Sequence, residues 1–170
     1  MGVILASLDM LLALVLASAA MHKIVAADRL SAAAARLLGV SPASGRVMSL
    51  LAAAWEGTAA IFLLWGPARP AGHVMAALLW LLYAGLTARA KRRGDAFDCG
   101  CSFASERRGA DPLTVPRALL LALLAAAAAL VPVAPHHDFP AILAGIGFFA
   151  LMIAATEIAA ILPLARRRPA

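Results

Sequence analysis

Charged residues are scarce in this sequence, at 14% of its 170 residues, whereas 64% of the residues are hydrophobic. Soluble domains contain about 25% charged and about 45–50% apolar residues. The shortage of charge therefore excludes a sizeable soluble catalytic domain, a Rossmann unit or a repeat solenoid. The chain also lacks a Walker loop and the GxSxG, HExxH and dinucleotide-binding motifs, so these common enzyme signatures are absent.

Acidic residues are fewer than basic ones, nine against fifteen, which gives a formal net charge of +6. Nucleic-acid-binding proteins also carry an excess of basic residues. In this chain, however, the basic residues lie at the ends of long apolar runs, as they do in membrane proteins. We therefore expect the lipid bilayer as a partner and no nucleic acid.

Five apolar runs approach or exceed the length of about 20 helical residues that crosses a bilayer. They cover residues 3–21, 47–65, 71–88, 118–135 and 139–165. Continuous apolar runs without a period-2 pattern satisfy their backbone polar groups as helices. The predicted fold is all-α, a polytopic transmembrane helical bundle that forms a single integral membrane domain over residues 1–170. Within the last run, Ala141 and Gly145 have a spacing that lets helices approach closely.

Basic residues are distributed unequally between the two sides of the predicted bundle. With five spans, fourteen Lys and Arg residues fall on one side and Arg69 alone falls on the other. Cytoplasmic segments of membrane proteins carry the excess of Lys and Arg. The asymmetry predicts a multi-pass protein of a bacterial-type inner (plasma) membrane, with its N-terminus outside and its C-terminus in the cytoplasm.

The connection after the first run has the pattern of a short amphipathic helix. Asp28 is a candidate N-cap, and Gly39 stands where the helix would end. Leucine and alanine side chains at positions 30, 34, 37 and 38 share one face. We expect this helix to lie in the cytoplasmic interface. The alternative is a frayed extension of the first span.

Only two cysteines occur, Cys99 and Cys101, and they flank Gly100 in the connection between the third and fourth runs. Two thiols separated by one residue close only a small ring, and strained disulfides are more oxidising than structural ones. Three interpretations stay open at this point. The pair can exchange disulfides, it can bind a metal shared between two chains because a closed zinc site takes four ligands, or it can be two inert thiols.

Glu56 lies at the middle of the second run. Inserting a charge at the centre of a span costs about 2–3 kcal/mol, so such a carboxylate normally faces the bundle interior and has a partner. Lys23 is the nearest basic candidate, and Thr58 and Asp9 are other polar groups available. Glu56 is either a site for a proton, a quinone-like headgroup or a peptide segment, or a structural salt bridge. Asp9 and Glu157 lie nearer the span ends, where we expect exposure to the interface.

Other residues that could carry chemistry have simpler explanations. The aromatic residues Trp55, Trp65, Trp80 and Tyr83 are predicted as packing or interface anchors. The His136-His137 pair could ligate a metal, but no cysteine or carboxylate constellation accompanies it on that side of the bundle. We expect a solvated turn there.

Three segments together carry a family resemblance. Met21-His22-Lys23-Ile24 is similar to a Gly-x-x-Lys-Leu segment, and Trp55-Glu56-Gly57 is similar to a second span with a glutamate. Asp98-Cys99-Gly100-Cys101, followed by a span that starts near Arg117, resembles Cys-Gly-Cys-Phe-Gly and then Arg-Asn. These are features of the methylamine utilisation MauE family, relatives of the DoxX-like membrane proteins. Ser102 before Phe103, and alanine at positions 104 and 118, depart from the family pattern.

The resemblance implies a membrane accessory protein that assists maturation, processing or transport of the disulfide-rich small subunit of methylamine dehydrogenase. Its implied partner is a thioredoxin-like or client protein, and its implied fold has a four-helix DoxX-like core or about five spans. Cys99 and Cys101 would be the redox pair, with Glu56 and Lys23 as intramembrane polar groups. Any enzyme activity would resemble that of a membrane thiol–disulfide oxidoreductase. No cofactor is expected, although neither a quinone nor a metal is excluded.

Two questions stay open at the level of sequence. The implied role needs thiols reachable from the exported side, whereas the charge asymmetry places the Cys-Gly-Cys connection in the cytoplasm. The function also has two rivals. One is a small transporter or binding protein in which Glu56 and Glu157 line a path, and the other is a purely structural membrane partner.

Overall fold

The computed structural model describes residues 2–93, 114–131 and 139–165. Its helices are α1 (Gly2–Val25), α2 (Ala27–Leu38), α3 (Pro42–Leu64), α4 (Arg69–Arg92), α5 (Thr114–Ala129) and α6 (Phe139–Ala165). A short 3-10 turn, Gly66–Ala68, joins α3 to α4. No β-strand occurs in the described ranges, so the predicted all-α fold is confirmed.

Three of the helical segments are long and apolar enough to cross a membrane, by length and composition. They are Gly2–Val25, Pro42–Leu64 and Gly66–Arg92. Thr114–Ala129 and Phe139–Ala155 are shorter apolar helices. The protein is therefore a membrane-embedded helical bundle. The count of five spans and the single domain over residues 1–170 stay predictions.

The helices pack so that α3 lies between α1 and α4, while α5 packs on α4 and α6 packs on α1. Consecutive long helices run antiparallel, which gives the bundle two ends. At the Gly2 end, α1 and α4 begin and α3 ends. At the Val25 end, α1 and α4 end and α2, α3 and α5 begin.

The connection after α1 is a separate helix, α2, which packs along α3. It ends where the sequence predicts, because Gly39 adopts a left-handed conformation (φ 70°) and its N–H donates to the Ala35 carbonyl. The prediction of Asp28 as N-cap is wrong, since the N-cap is Ala26 and makes no side-chain capping bond. Asp28 lies in the first helical turn, where a carboxylate is favoured by the helix dipole.

Glycine allows helix pairs to approach closely at three positions, Gly45, Gly72 and Gly145. A Cβ atom on Gly72 of α4 would lie 2.7 Å from the backbone nitrogen of Leu63 in α3. A Cβ atom on Gly145 of α6 would lie 2.6 Å from the Met10 Cβ in α1, and Ala141 is only 1% exposed. The close approach that the Ala141 and Gly145 spacing predicts is therefore confirmed.

An apolar core fills the middle of the bundle between α1, α3, α4 and α5. Its larger side chains are Leu12, Leu16, Leu63, Leu79, Trp80 and Leu121, and alanines fill the remaining space. Trp80 thus packs in the core, as predicted. Buried polar residues lie on either side of this core, toward the Gly2 end and toward the Val25 end.

Candidate functional site

Several of the predicted site residues lie outside the described part of the chain. Cys99 and Cys101 belong to the 94–113 connection, His136 and His137 to the 132–138 connection, and the side chain of Glu157 is not described either. Their predicted roles stay predictions. Among the described residues, no three His, Cys, Asp or Glu side chains come together as metal ligands.

Glu56 is fully buried and in contact with Lys23. The Lys23 Nζ atom donates to both carboxylate oxygens, at 2.7 Å to Oε1 and 2.9 Å to Oε2. The Tyr83 hydroxyl donates to Oε1 at 2.7 Å. The Lys23 Nζ atom also lies 5.3 Å from the centre of the Tyr83 ring, within the range of a cation–π contact. We call these three residues the Glu56 cluster.

The Glu56 cluster joins three of the four helices around the core, since Lys23 comes from α1, Glu56 from α3 and Tyr83 from α4. Of the other two candidate partners, Thr58 donates to the Ala54 carbonyl of its own helix and Asp9 pairs with Arg69. Tyr83 is more than the packing or interface anchor that the sequence predicts, because its hydroxyl holds the carboxylate. Lys23 and Glu56 are 6% and 0% exposed and cancel each other's charge. A paired, hydrogen-bonded charge is the arrangement that a low-dielectric interior tolerates.

A second buried cluster lies toward the Gly2 end and joins Asp9 of α1 to Arg69 and His73 of α4. The Arg69 Nε atom donates to Asp9 Oδ2 at 2.6 Å. The His73 Nε2 atom lies 2.9 Å from Asp9 Oδ1, although that contact lacks hydrogen-bond geometry. All three residues are at most 4% exposed. We call them the Asp9 cluster.

The prediction that Asp9 is exposed at the interface is wrong. Its carboxylate is instead 0% exposed and ion-paired. A signal for this pairing is present in the sequence. Arg69 is the sole basic residue on its predicted side of the membrane, and Asp9 is an acidic residue inside the first run. Because both need a partner at a similar depth, charge pairing across the bundle could have identified them.

Two cavities adjoin the Glu56 cluster. The larger one, of about 320 Å³, lies between α2, α3 and α4, and its wall includes Lys23 and Tyr83. The smaller one, of about 30 Å³, lies between α1, α4 and α5, and its wall includes Glu56, Tyr83 and Arg117. Tyr83 and Thr87 line both cavities. The smaller cavity has room for a water molecule, which needs roughly 10–15 Å³.

The family model described as methylamine utilisation protein MauE matches residues 1–134 of the 170-residue chain. The chain belongs to the MauE family. This membership, together with the apolar helices, makes it a membrane protein linked to methylamine utilisation. Among curated proteins and among solved structures, no match to the chain is found.

The MauE match contains the residues on which the sequence resemblance depends. It runs from α1 through α5 and includes Lys23, Glu56 and the two cysteines. It ends before α6, which begins at Phe139. The Glu56 cluster and the Cys-Gly-Cys connection are thus both in the part of the chain that the MauE family shares.

Proposed function

We propose that this MauE-family protein assists the maturation of a partner protein by thiol–disulfide exchange at Cys99 and Cys101. One observation carries the proposal: the sole cysteine pair of the chain lies inside the region that matches the MauE family. The partner would be a thioredoxin-like protein or a client of the methylamine dehydrogenase small-subunit type. The setting would be a bacterial-type inner membrane with the N-terminus outside.

The position of the 94–113 connection supports this proposal. It starts after α4 and leads into α5, both at the Val25 end. Cys99 is six residues from Arg93, so its Cα atom lies no more than about 22 Å from that of Arg93. The cysteine pair is therefore tethered to the end of the bundle toward which the Glu56 cluster lies.

The exchange needs two thiolate attacks. A client thiolate attacks a sulfur of the Cys99–Cys101 disulfide, so a mixed disulfide forms and one thiolate of the chain leaves. A second client thiolate then attacks the mixed disulfide. The client loses two electrons and gains a disulfide, while Cys99 and Cys101 take up those electrons and become a dithiol. A disulfide of the thioredoxin-like partner reoxidises the pair by the reverse sequence.

Differential alkylation of isolated membranes tests the redox pair. A maleimide of high mass should add twice to the reduced wild-type chain and not at all after mild oxidation. The Cys99→Ser and Cys101→Ser variants are matched controls, because each retains one thiol that has no intrachain partner. Each should be labelled once under both conditions. Equal labelling of the oxidised and reduced wild type would refute the redox pair.

A trapping experiment tests the partner. In the reoxidation step one thiolate of the chain attacks the disulfide of the thioredoxin-like partner, and the second cysteine of the chain resolves the mixed disulfide. Removing the resolving cysteine prevents this second attack, so one of the two single-serine variants should accumulate an adduct with the thioredoxin-like partner in cells. The adduct should disappear on reduction and in the double-serine variant. If neither single variant gives an adduct, and client disulfides form normally in the double variant, the maturation role is wrong.

An impermeant maleimide tests the orientation of the chain. With the predicted topology, Cys99 should react in spheroplasts only after the membrane is permeabilised. Reaction in intact spheroplasts would overturn the orientation and place the pair on the exported side.

The transporter interpretation and the thiol–disulfide proposal make opposite predictions for the same variants. Glu56→Gln would abolish a flux, whereas the double-serine variant would leave that flux unchanged. A purely structural partner would show only changes in complex assembly for all of these variants. Parallel assays of client disulfides and of complex assembly in the same set of variants therefore separate the three functions.

A further inference from the structure

The cavity of about 320 Å³ between α2, α3 and α4 has a polar end and an apolar remainder. Polar side chains of Lys23, Ser49, Tyr83 and Thr87 belong to its wall, and the other lining residues are apolar. Its volume falls in the range of about 300–1,000 Å³ that is typical of small-molecule sites.

The apolar part of this cavity faces the outside of the bundle. Leu51 and Leu82 on its wall are 59% and 56% exposed, and Trp55 is 44% exposed. In a membrane-embedded bundle these side chains face lipid. A ligand would therefore enter from the bilayer and leave its apolar tail there.

The polar end offers hydrogen-bond donors that the described residues do not use. Ser49 is 7% exposed, lies on the wall, and its hydroxyl makes no hydrogen bond within the described part of the chain. Lys23 has three donor protons and directs hydrogen bonds to the two oxygens of Glu56. A ligand that lies against this wall could accept hydrogen bonds from Ser49 and from the remaining proton of Lys23.

The charge of the polar end selects a neutral acceptor. Lys23 and Glu56 already cancel each other, so an anionic headgroup would add a second negative charge opposite a single ammonium group. A carbonyl oxygen accepts hydrogen bonds without adding charge. The ligand is therefore neutral, carbonyl-bearing, membrane-soluble and small enough at its polar end for this cavity.

We propose that the cavity binds the ring of an isoprenoid quinone. One ring carbonyl accepts from Ser49 and Lys23, the ring packs among the apolar side chains, and the isoprenoid tail extends into lipid. The small cavity on the other side of Tyr83 and Thr87 reaches Thr114 and Arg117 at the start of α5. The proposed ring site and the start of α5 thus lie on either side of Tyr83 and Thr87.

A bound quinone would give the cysteine pair an electron acceptor in the same membrane, a step that rests on the proposed function. The two S–H bonds of Cys99 and Cys101 break and one S–S bond forms. The two electrons and two protons released pass to the quinone, whose carbonyl oxygens become the hydroxyls of a quinol. The quinone would then take the place of the disulfide of the thioredoxin-like partner as the oxidant of the pair.

Tryptophan fluorescence tests the binding site directly, because Trp55 lies on the cavity wall. The full-length protein in detergent is titrated with a short-tailed ubiquinone. Quenching should saturate in the wild type and weaken at least tenfold in Ala52→Phe, which fills the cavity. Ala54→Phe is the matched control, since Ala54 is exposed on the same helix and is not on the wall. It should bind as the wild type does.

Ser49→Ala provides a second variant that removes the donor with almost no change in volume. It should weaken binding three- to tenfold. Quenching that never saturates, or that is equal in the wild type, Ala52→Phe and Ser49→Ala, would overturn the site. Displacement of the quinone by phospholipid at equal concentration would also overturn it, because the cavity would then be a lipid site.

A stopped-flow assay of quinone reduction separates this proposal from the thiol function. The reduced wild type should convert one quinone to quinol per chain, and the double-serine variant should bind quinone normally but reduce none. Saturable binding without thiol oxidation would refute the acceptor role and leave the cysteine exchange intact. Thiols that never change their labelling would refute the exchange and leave the binding site intact.

Discussion

Removing one member of the buried Lys23–Glu56 pair should destabilise the protein far more than removing both. The two side chains are 7% and 1% exposed and share contacts of 2.7 and 2.9 Å. Breaking such a pair leaves one charge buried alone, which costs about 3–5 kcal/mol. Removing both charges leaves no such charge and is often nearly neutral. Folded proteins have only about 5–15 kcal/mol of stability, so each single change is a large perturbation.

Lys23→Met, Glu56→Gln and the double variant form a double-mutant cycle for this pair. Methionine has a length similar to that of lysine, and the glutamine carbonyl still accepts from the Tyr83 hydroxyl, which lies 2.7 Å from Glu56 Oε1. Each single variant should lose about 3–5 kcal/mol of unfolding free energy, and the double variant should lie within about 2 kcal/mol of the wild type.

The unfolding free energy can be measured by denaturant titration in mixed micelles, followed by far-ultraviolet circular dichroism. Asp28→Asn with Arg36→Met is the control cycle, because both residues are exposed on α2 and no contact joins them. Each control change should alter the unfolding free energy by no more than about 0.5 kcal/mol, and the two effects should be additive in the double variant. Single variants at Lys23 and Glu56 that lose less than about 1 kcal/mol, or that add in the double variant, would refute the burial argument.

Two further predictions concern the Gly2 end and α6. Asp9→Asn removes the anion that Arg69 contacts at 2.6 Å, so it should cost about 3–5 kcal/mol in the same titration; a loss below about 1 kcal/mol would contradict the ion pair. Gly145→Ala places a Cβ 2.6 Å from Met10 and should cost about 1–3 kcal/mol. Gly147→Ala has nothing within 4 Å and should be neutral or stabilising, so equal effects at the two glycines would contradict the packing of α6.

The contact between Lys23 and Glu56 is expected from the sequence because few candidates exist. A carboxylate at the middle of a span needs a partner, and Lys23 is the basic residue at the nearest span end. The end of α2 can also be predicted from the sequence. Gly39 adopts a left-handed conformation there, which glycine reaches without the steric cost that other residues have. In both cases the chemistry of a few residues restricts the possible structures, so the sequence is enough to predict the contact and the helix end.

Other features depend on how the helices rotate and cross, which no local pattern specifies. Tyr83 reaches Glu56 only because of the rotation of α4 about its axis. Asp9 contacts Arg69, which is 60 residues away in the sequence. The position of Asp9 within its own span therefore does not reveal this partner. The N-cap falls on Ala26 and not on Asp28 because the chain turns directly after α1. The cavity between α2, α3 and α4 likewise exists only once the bundle is packed.

The two buried clusters together explain how an alanine-rich bundle reaches one arrangement. Asp9 and Lys23 are 14 residues apart on α1, and Arg69 and Tyr83 are 14 residues apart on α4, which is about 21 Å along each helix. The spacing between the two polar positions is therefore the same on α1 and on α4, so both clusters form in a single alignment of the two helices.

A slide of α4 along α1 by one helical turn, about 5.4 Å, would break the Asp9–Arg69 contact and the contacts of Tyr83 with Lys23 and Glu56 together. Apolar packing between alanines resists such a slide weakly, because many registers bury similar areas. A buried charge without a partner costs several kcal/mol, so the polar clusters select the register that the alanines leave undetermined. That register also fixes where the cavity opens and where the cysteine connection is tethered.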